Sequence, residues 1–190
     1  FASPLVERCA FCLRRVGGDR PHLVAPAGRR VHCACEACAG AGPAARDYYR
    51  VQPRQARLAD FALTDAEWAA FQIPIDLAFV FTLRGEAAPL ALYPGPAGAT
   101  EAWLSAEAWR GLTAKNPVLA DLAPDIEALL INRTQGRRDY YRVSADHCYA
   151  LVGLMRSHWR GLSGGEEAWA AIDGYFERLA SAAGLAPLHA

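Results

Sequence analysis

Several things are scarce in this 190-residue chain, and each scarcity removes a class of function. Net charge is missing: 20 basic side chains stand against 20 acidic ones. A balanced chain has no global electrostatic drive toward nucleic acid or an anionic membrane surface, so neither is expected as a partner. Long apolar runs are missing too, and nothing approaches the roughly 18–20 residues a membrane-spanning helix needs. Lysine is nearly absent, with Lys115 alone beside nineteen arginines, while alanine makes up about a fifth of the chain. That pair of biases reads as coding preference rather than function. Cysteine is scarce over most of the length, since only Cys148 follows position 38. Apolar material is plentiful, at 53% of residues with 10% aromatic. The chain is therefore not disordered, and at this length it can bury a true core. Phe1 to Val6 has no basic stretch and is too short for a secretory signal, so a trimmed N-terminus and a cytoplasmic location are expected.

Five of the six cysteines lie in the first 38 residues. A disulfide scaffold spreads its cysteines through a small secreted chain, whereas crowding at one end suggests a local metal site. Cys9-Ala10-Phe11-Cys12 and Cys35-Glu36-Ala37-Cys38 are two C-x2-C segments with 22 residues between them. Each such turn, a knuckle, aims two thiolates at one ion while nearby backbone N–H groups stabilise the sulfurs. Between them, His22–Ala25 and Arg29–His32 flank Pro26-Ala27-Gly28, the pattern of a hairpin. Two knuckles joined by a hairpin close a tetrahedral site of Cys9, Cys12, Cys35 and Cys38, which is structural because no position stays open. Zinc is the expected ion. Iron held as in rubredoxin uses the same ligands and is the alternative; an iron–sulfur cluster fits the spacing poorly. Cys33 shares a strand face with Cys35 and is the alternative ligand, or else a small thiol packed beside the site. His32 points the other way. A zinc tetrathiolate carries a charge of −2, which Arg8, Arg14, Arg15, Arg29 and Arg30 are placed to offset. Residues 1–46 hold seven arginines against three acids.

The composition changes after the Gly/Ala/Pro-rich stretch Ala39–Ala44, read as a linker. The expected division is a four-cysteine module over 1–46 and a body over 47–190, giving an α+β (possibly α/β) protein with about five strands and four to five helices in the body. Strands are expected at 48–51, 75–83, 89–93, 126–132 and 139–143. The run Ile75–Leu83 is apolar enough for burial on both faces. Thr64-Asp65-Ala66-Glu67 is a capping box that starts a helix carrying Trp68 and Phe71. Ser105 caps a helix to about Ala114, which Asn116-Pro117 ends with a short helix to follow. Ser144 caps another to about Trp159. Trp169, Ile172, Phe176 and Leu179 form the apolar stripe of a last helix, 166–183. Arg-Asp-Tyr-Tyr-Arg-Val occurs twice, at 46–51 and 138–143, and reads as two similar edge or paired strands.

The body offers weaker chemical candidates. Asp146-His147-Cys148 opens a helix, where a thiol beside a histidine can be activated. Adjacent helical residues point about 100° apart, however, so a packed Cys148 is the plainer reading. The segment 95–101 follows a strand as ligand loops do, but it lacks the lysine and spacing of a phosphate loop. The segment 158–165 mixes aromatic, polar and glycine residues, which suits a contact surface or an ordinary connection.

The whole chain resembles an uncharacterised bacterial family, chiefly actinobacterial, encoded beside [NiFe]-hydrogenase genes. The resemblance is carried by Cys9-x-x-Cys12, Cys33-x-Cys35-x-x-Cys38, Arg57–Phe61 with Trp68, Ile73-Pro74 through Phe81, Tyr93-Pro94 with Pro96–Glu101, Asn116-Pro117, Ile131-Asn132-Arg133 and His158–Gly165. It implies an accessory or assembly role for a hydrogenase, with a hydrogenase subunit or maturation factor as partner, and it carries no catalytic residue over. The expected function is thus a zinc-binding, partner-binding accessory protein. The alternatives are an iron electron carrier and an enzyme with a site near Cys148 or the 95–101 loop.

Overall fold

A computed structural model of the chain describes residues 7–18, 20–25, 30–40, 47–95, 98–161 and 164–184. The turn at Pro26-Ala27-Gly28 and most of the expected linker lie outside these residues. The chain divides into two compact units, Phe1–Gln52 and Pro53–Ala190, in an α+β architecture with two antiparallel sheets.

In the first unit, β1 (His22–Ala25) and β2 (Arg30–Cys33) form the expected hairpin, with Leu23 opposite His32 and Val24 opposite Val31. α1 (Glu36–Gly40) follows, so Ala39 and Gly40 close a helix instead of opening the linker. β3 (Tyr49–Val51) then pairs with the free edge of β1, giving the order β2-β1-β3. Its side chains could not reveal this, because pairing is a property of the partner strand. Among the described residues the buried hydrophobics of this unit are few: Cys9, Leu23 and Ala34 centre one small cluster, and Val24 and Val51 are buried beside it.

The second unit is built on a six-stranded sheet in the order β4-β9-β8-β5-β6-β7. Its strands are β4 (Gln55–Arg57), β5 (Leu77–Phe81), β6 (Leu90–Gly95), β7 (Gly98–Trp103), β8 (Glu127–Asn132) and β9 (Asp139–Ser144). Every neighbouring pair is antiparallel, which excludes the parallel α/β option. β5 is buried at all five positions and β8 at all six, because helices cover both faces. Ala78, Val80, Leu129, Ile131 and Tyr140 share one face with Trp68 of α2 (Asp65–Ala70) and with Trp109 and Leu112 of α3 (Ala106–Lys115). On the opposite parity, Tyr141 packs against Phe176 of α5 (Gly165–Ala183) at 6.1 Å between ring centres, and α4 (Ala145–His158) contacts β7, β8 and β9.

The helix starts follow their caps. Thr64 accepts from the Glu67 N–H, and the Glu67 carboxylate accepts from the Thr64 N–H, the reciprocal arrangement the sequence predicts. Ser105 caps α3 through the Ala108 N–H. Asn116 ends α3, and its buried amide both accepts from the Ala62 N–H and donates to the Ala62 carbonyl. The Ser144 hydroxyl is diverted to the backbone of Arg54 and caps nothing. Among the described residues, no helix is long and apolar enough to cross a membrane.

Two strands escape the sequence reading. β7 (GATEAW) has only Thr100 and Trp103 among the branched and aromatic residues that mark strands, with glycine, two alanines and a glutamate between and around them, and it forms because β6 offers it a full edge, with Gly95 opposite Gly98 and Leu90 opposite Trp103. The 95–101 segment, expected as a loop, is therefore strand on both sides of Pro96 and Ala97, which lie outside the described residues. β4 is only three residues long, too short to show a period.

Candidate metal centre

The first knuckle is a two-stranded ribbon folded on itself. Arg8 bridges Arg15, the Cys9 N–H donates to the Arg14 carbonyl at 2.8 Å, and the Val16 N–H donates to the Glu7 carbonyl at 3.0 Å. The Leu13 N–H closes the turn on the Cys9 carbonyl at 2.9 Å. Leu13 itself sits at φ +61°, the left-handed region. A side chain there costs roughly 1–2 kcal/mol, so the turn is held by its surroundings and not by local preference. The second knuckle uses a helix. Cys35 directly precedes α1 and Cys38 lies three residues on, a spacing that puts both sulfurs on one side of the turn. The Ala10 N–H donates to the Cys33 carbonyl at 2.8 Å and ties the two knuckles together.

The outcome is a cluster of four sulfurs, from Cys9, Cys12, Cys35 and Cys38, all within 4.8 Å of one another. The Cys12 and Cys35 sulfurs are 3.7 Å apart. A disulfide would need about 2.05 Å, and all six cysteines are free. Four sulfurs around an ion at about 2.3 Å in tetrahedral geometry stand about 3.8 Å apart, so the observed pair already has that spacing. Cys9 is fully buried while Cys12 is exposed, so the cluster has one inner and one outer edge.

The electrostatics suit a cation. Burial opposes ionisation of Cys9, yet N–H groups of Cys35, Phe11 and Cys12 donate to its sulfur and bring the thiol down to about 6. The Cys38 N–H does the same for Cys35, lowering it. Cys38 is pushed up to about 12, first by its hydrogen bond with Cys35 and further by burial and the other neighbouring thiols. The backbone thus favours the first thiolates, and the hydrogen bond to Cys35 keeps the last proton on Cys38. A divalent cation releases the remaining protons. The donor set is soft, four-coordinate and closed, which fits Zn2+ or iron and leaves no open position for chemistry.

Cys33 lies outside the four-sulfur cluster, half-buried. The guanidinium of Arg20, an arginine outside the set expected to offset the site, hydrogen-bonds the Cys33 sulfur and pairs with Glu7; both partners hold its pKa up. Arg8 donates to the Leu13 carbonyl at 3.1 Å, and Arg29 lies outside the described residues. His32 packs edge-on against Tyr48 at 5.4 Å, and Tyr48 meets Phe11 at 5.1 Å. This aromatic trio flanks the first knuckle. The sequence hides it, because Tyr48 is 37 positions from Phe11.

In the second unit the structure separates the residues that sequence adjacency joined. Cys148 is 2% exposed, and burial drives its thiol well up, the wrong direction for a nucleophile. The His147 Nδ1 faces the Tyr175 hydroxyl at 3.1 Å instead, and burial holds its pKa down. In the 158–165 segment, the Arg160 N–H donates to the Gly164 carbonyl at 2.9 Å. Gly164 has φ +91°, and a Cβ there would sit 3.1 Å from the Trp159 ring. Glycine is thus required for the tryptophan to lie flat beneath the turn. Leu162 and Ser163 lie outside the described residues.

No curated protein and no solved structure matches the chain. A family model described as "Family of unknown function (DUF5947)" matches residues 8–183, from just before the first knuckle to the end of α5, and the chain belongs to that family.

Proposed function

We propose that Cys9, Cys12, Cys35 and Cys38 hold one structural Zn2+, and that the protein is a cytoplasmic accessory protein that binds a partner, a [NiFe]-hydrogenase subunit or maturation factor. The observation that carries the metal half is the four-sulfur cluster with N–H donors aimed at Cys9 and Cys35. When bound, zinc supplies charge neutralisation and a tetrahedral anchor, with no redox chemistry. The residues do the rest: two knuckles meet, the β1–β2 hairpin is pinned between them, and the ribbon over 7–16 becomes a rigid presenting element. The partner half rests on the sequence resemblance and on the closed ligand set, which suits a scaffold. The division into a metal module, expected over 1–46, and a body, expected over 47–190, belongs to the same proposal, with β3 carrying the metal-bearing unit on to Gln52.

Metal analysis of the purified full chain tests the reading. One zinc per chain and a colourless solution are expected, together with loss of the bound metal in Cys9→Ser. Less than half an equivalent of zinc contradicts it. An iron electron carrier remains the second reading, favoured by the exposed Cys12, since electron transfer needs a cluster edge at the surface. Iron thiolate absorbs in the visible, so a red or brown protein with one iron per chain selects it.

A further inference from the structure

The first knuckle does more than supply two sulfurs. Its ribbon carries Arg8, Arg14 and Arg15, all exposed. Arg8 donates to a backbone carbonyl, and among the described residues neither Arg14 nor Arg15 pairs with an acid. By contrast, Arg20 and Arg50 of the same unit are each paired, with Glu7 and Glu36. Residues 1–52 hold eight arginines and four acids, so a tetrathiolate centre of charge −2 offsets only part of the excess. At the tip stands Leu13, 67% exposed and held at positive φ. Behind the ribbon, a hollow of about 350 Å3 is lined among others by Arg15, Gly17, Gly18, Arg20, Glu36 and the metal-site residue Cys35. Among the described residues, nothing lies within 4 Å of where a Cβ would stand on Gly17 or Gly18.

We propose that this cationic knuckle is a docking surface for an acidic, partly apolar segment of a partner protein. Guanidinium groups recognise carboxylates through paired, charge-assisted hydrogen bonds. The hollow has room for one carboxylate side chain beside Arg15, and Leu13 offers an apolar contact to a neighbouring side chain of the same segment. A phosphate backbone would use the arginines but not the leucine, which neither stacks on a base nor hydrogen-bonds to one. The inference rests on the metal reading above: the sulfurs of Cys9 and Cys12 are what fix the ribbon, and with it the spacing of the three arginines.

The test uses the full-length, metal-loaded protein and a fluorescein-labelled twelve-residue peptide of six glutamates, two leucines and neutral spacers, followed by anisotropy. Saturable one-site binding is expected, weakening at least about tenfold between about 0.05 M and about 0.3 M salt as the charges are screened. Arg14→Glu with Arg15→Glu should weaken it by a further tenfold or more. Leu13→Gly, which keeps the turn because glycine accepts positive φ, should weaken it a few-fold. Metal content and circular dichroism are read on each sample. Metal-loaded, folded protein that does not bind the peptide overturns this inference and leaves the metal reading standing, as does unchanged affinity in the double-glutamate variant. Tighter binding of a single-stranded oligonucleotide of equal charge also overturns it. A chain that carries no metal removes the metal reading, and this inference with it.

Discussion

The same six residues, Arg-Asp-Tyr-Tyr-Arg-Val, occur once in each unit, and the two copies live differently. In the first unit they end in β3, an edge strand of a three-stranded sheet, where Tyr49 is 36% exposed and Arg50 meets Glu36 in solvent. In the second they form β9, an inner strand of a six-stranded sheet, where Tyr141 is 2% exposed and Arg142 grips a buried Glu127. Identical local chemistry thus yields a rim in one place and a core in the other. The difference reflects how the units are held. The second buries a large apolar sheet between helices, while among the described residues the first has a core of Leu23, Val24, Ala34 and Val51 besides Cys9, whose sulfur is itself one of the four clustered. A region with so small a core needs another source of order.

That contrast can be broken most forcefully by taking metal away. A strong chelator, or Cys9→Ser, should unfold the first unit, with a loss on the order of 10 kcal/mol of ordering free energy. The amides of β5 and β8 should keep their protection. Hydrogen exchange read unit by unit checks this, and equal loss of protection in both units would break the comparison. Next in size, Tyr141→Ala should cost about 3–5 kcal/mol in the second unit's unfolding. Its counterpart Tyr49→Ala should cost no more than about 1 kcal/mol, and denaturant titration of the two variants measures both.

The arginines sharpen the comparison further. Arg142→Ala leaves the Glu127 carboxylate, 7% exposed at its side chain, with Arg54 as its remaining ion-pair partner. A cost of about 2–3 kcal/mol is expected. Arg50→Ala breaks a pair exposed at both ends and should cost under about 1 kcal/mol. Comparable in size to the exposed pair is a pH dependence of the second unit alone. The Lys115 ammonium first, then the N–H and hydroxyl of Thr64, hold Glu67 down to about 2. A depressed carboxyl contributes stability that is complete above its unfolded value near 4.5 and fades as pH falls toward 2. Solvent screening of the exposed Lys115 limits this to about 1 kcal/mol. Thermal melts between pH 5 and pH 2 should show it, and Glu67→Gln should flatten that slope.

Much of the fold was legible because its signals are local. The capping box at Thr64, the Ser105 cap and the two C-x2-C segments each state their chemistry within four residues. The long apolar run into β5 announced burial on both faces, although its antiparallel pairing was not readable from that run. β7 and β4 were invisible for the same reason: the partner strand, and not their own residues, makes them strands. The four sulfurs were readable as two pairs. Two other features were not readable: the positive φ of Leu13 and the packing of Tyr48 on Phe11 and His32, which exist only once the knuckles have met. The proximity of His147 and Cys148 in sequence misled in the opposite direction, since helix geometry sends one to Tyr175 and the other into the core.

X-ray absorption at the zinc edge of the purified full-length chain tests the central claim most directly. A first shell of four sulfurs at about 2.3 Å with no nitrogen or oxygen neighbour is expected, with loss of that shell in Cys12→Ser but not in Cys33→Ser. A shell with fewer than four sulfurs, an absorber that is iron, or a shell that collapses in Cys33→Ser would contradict that claim.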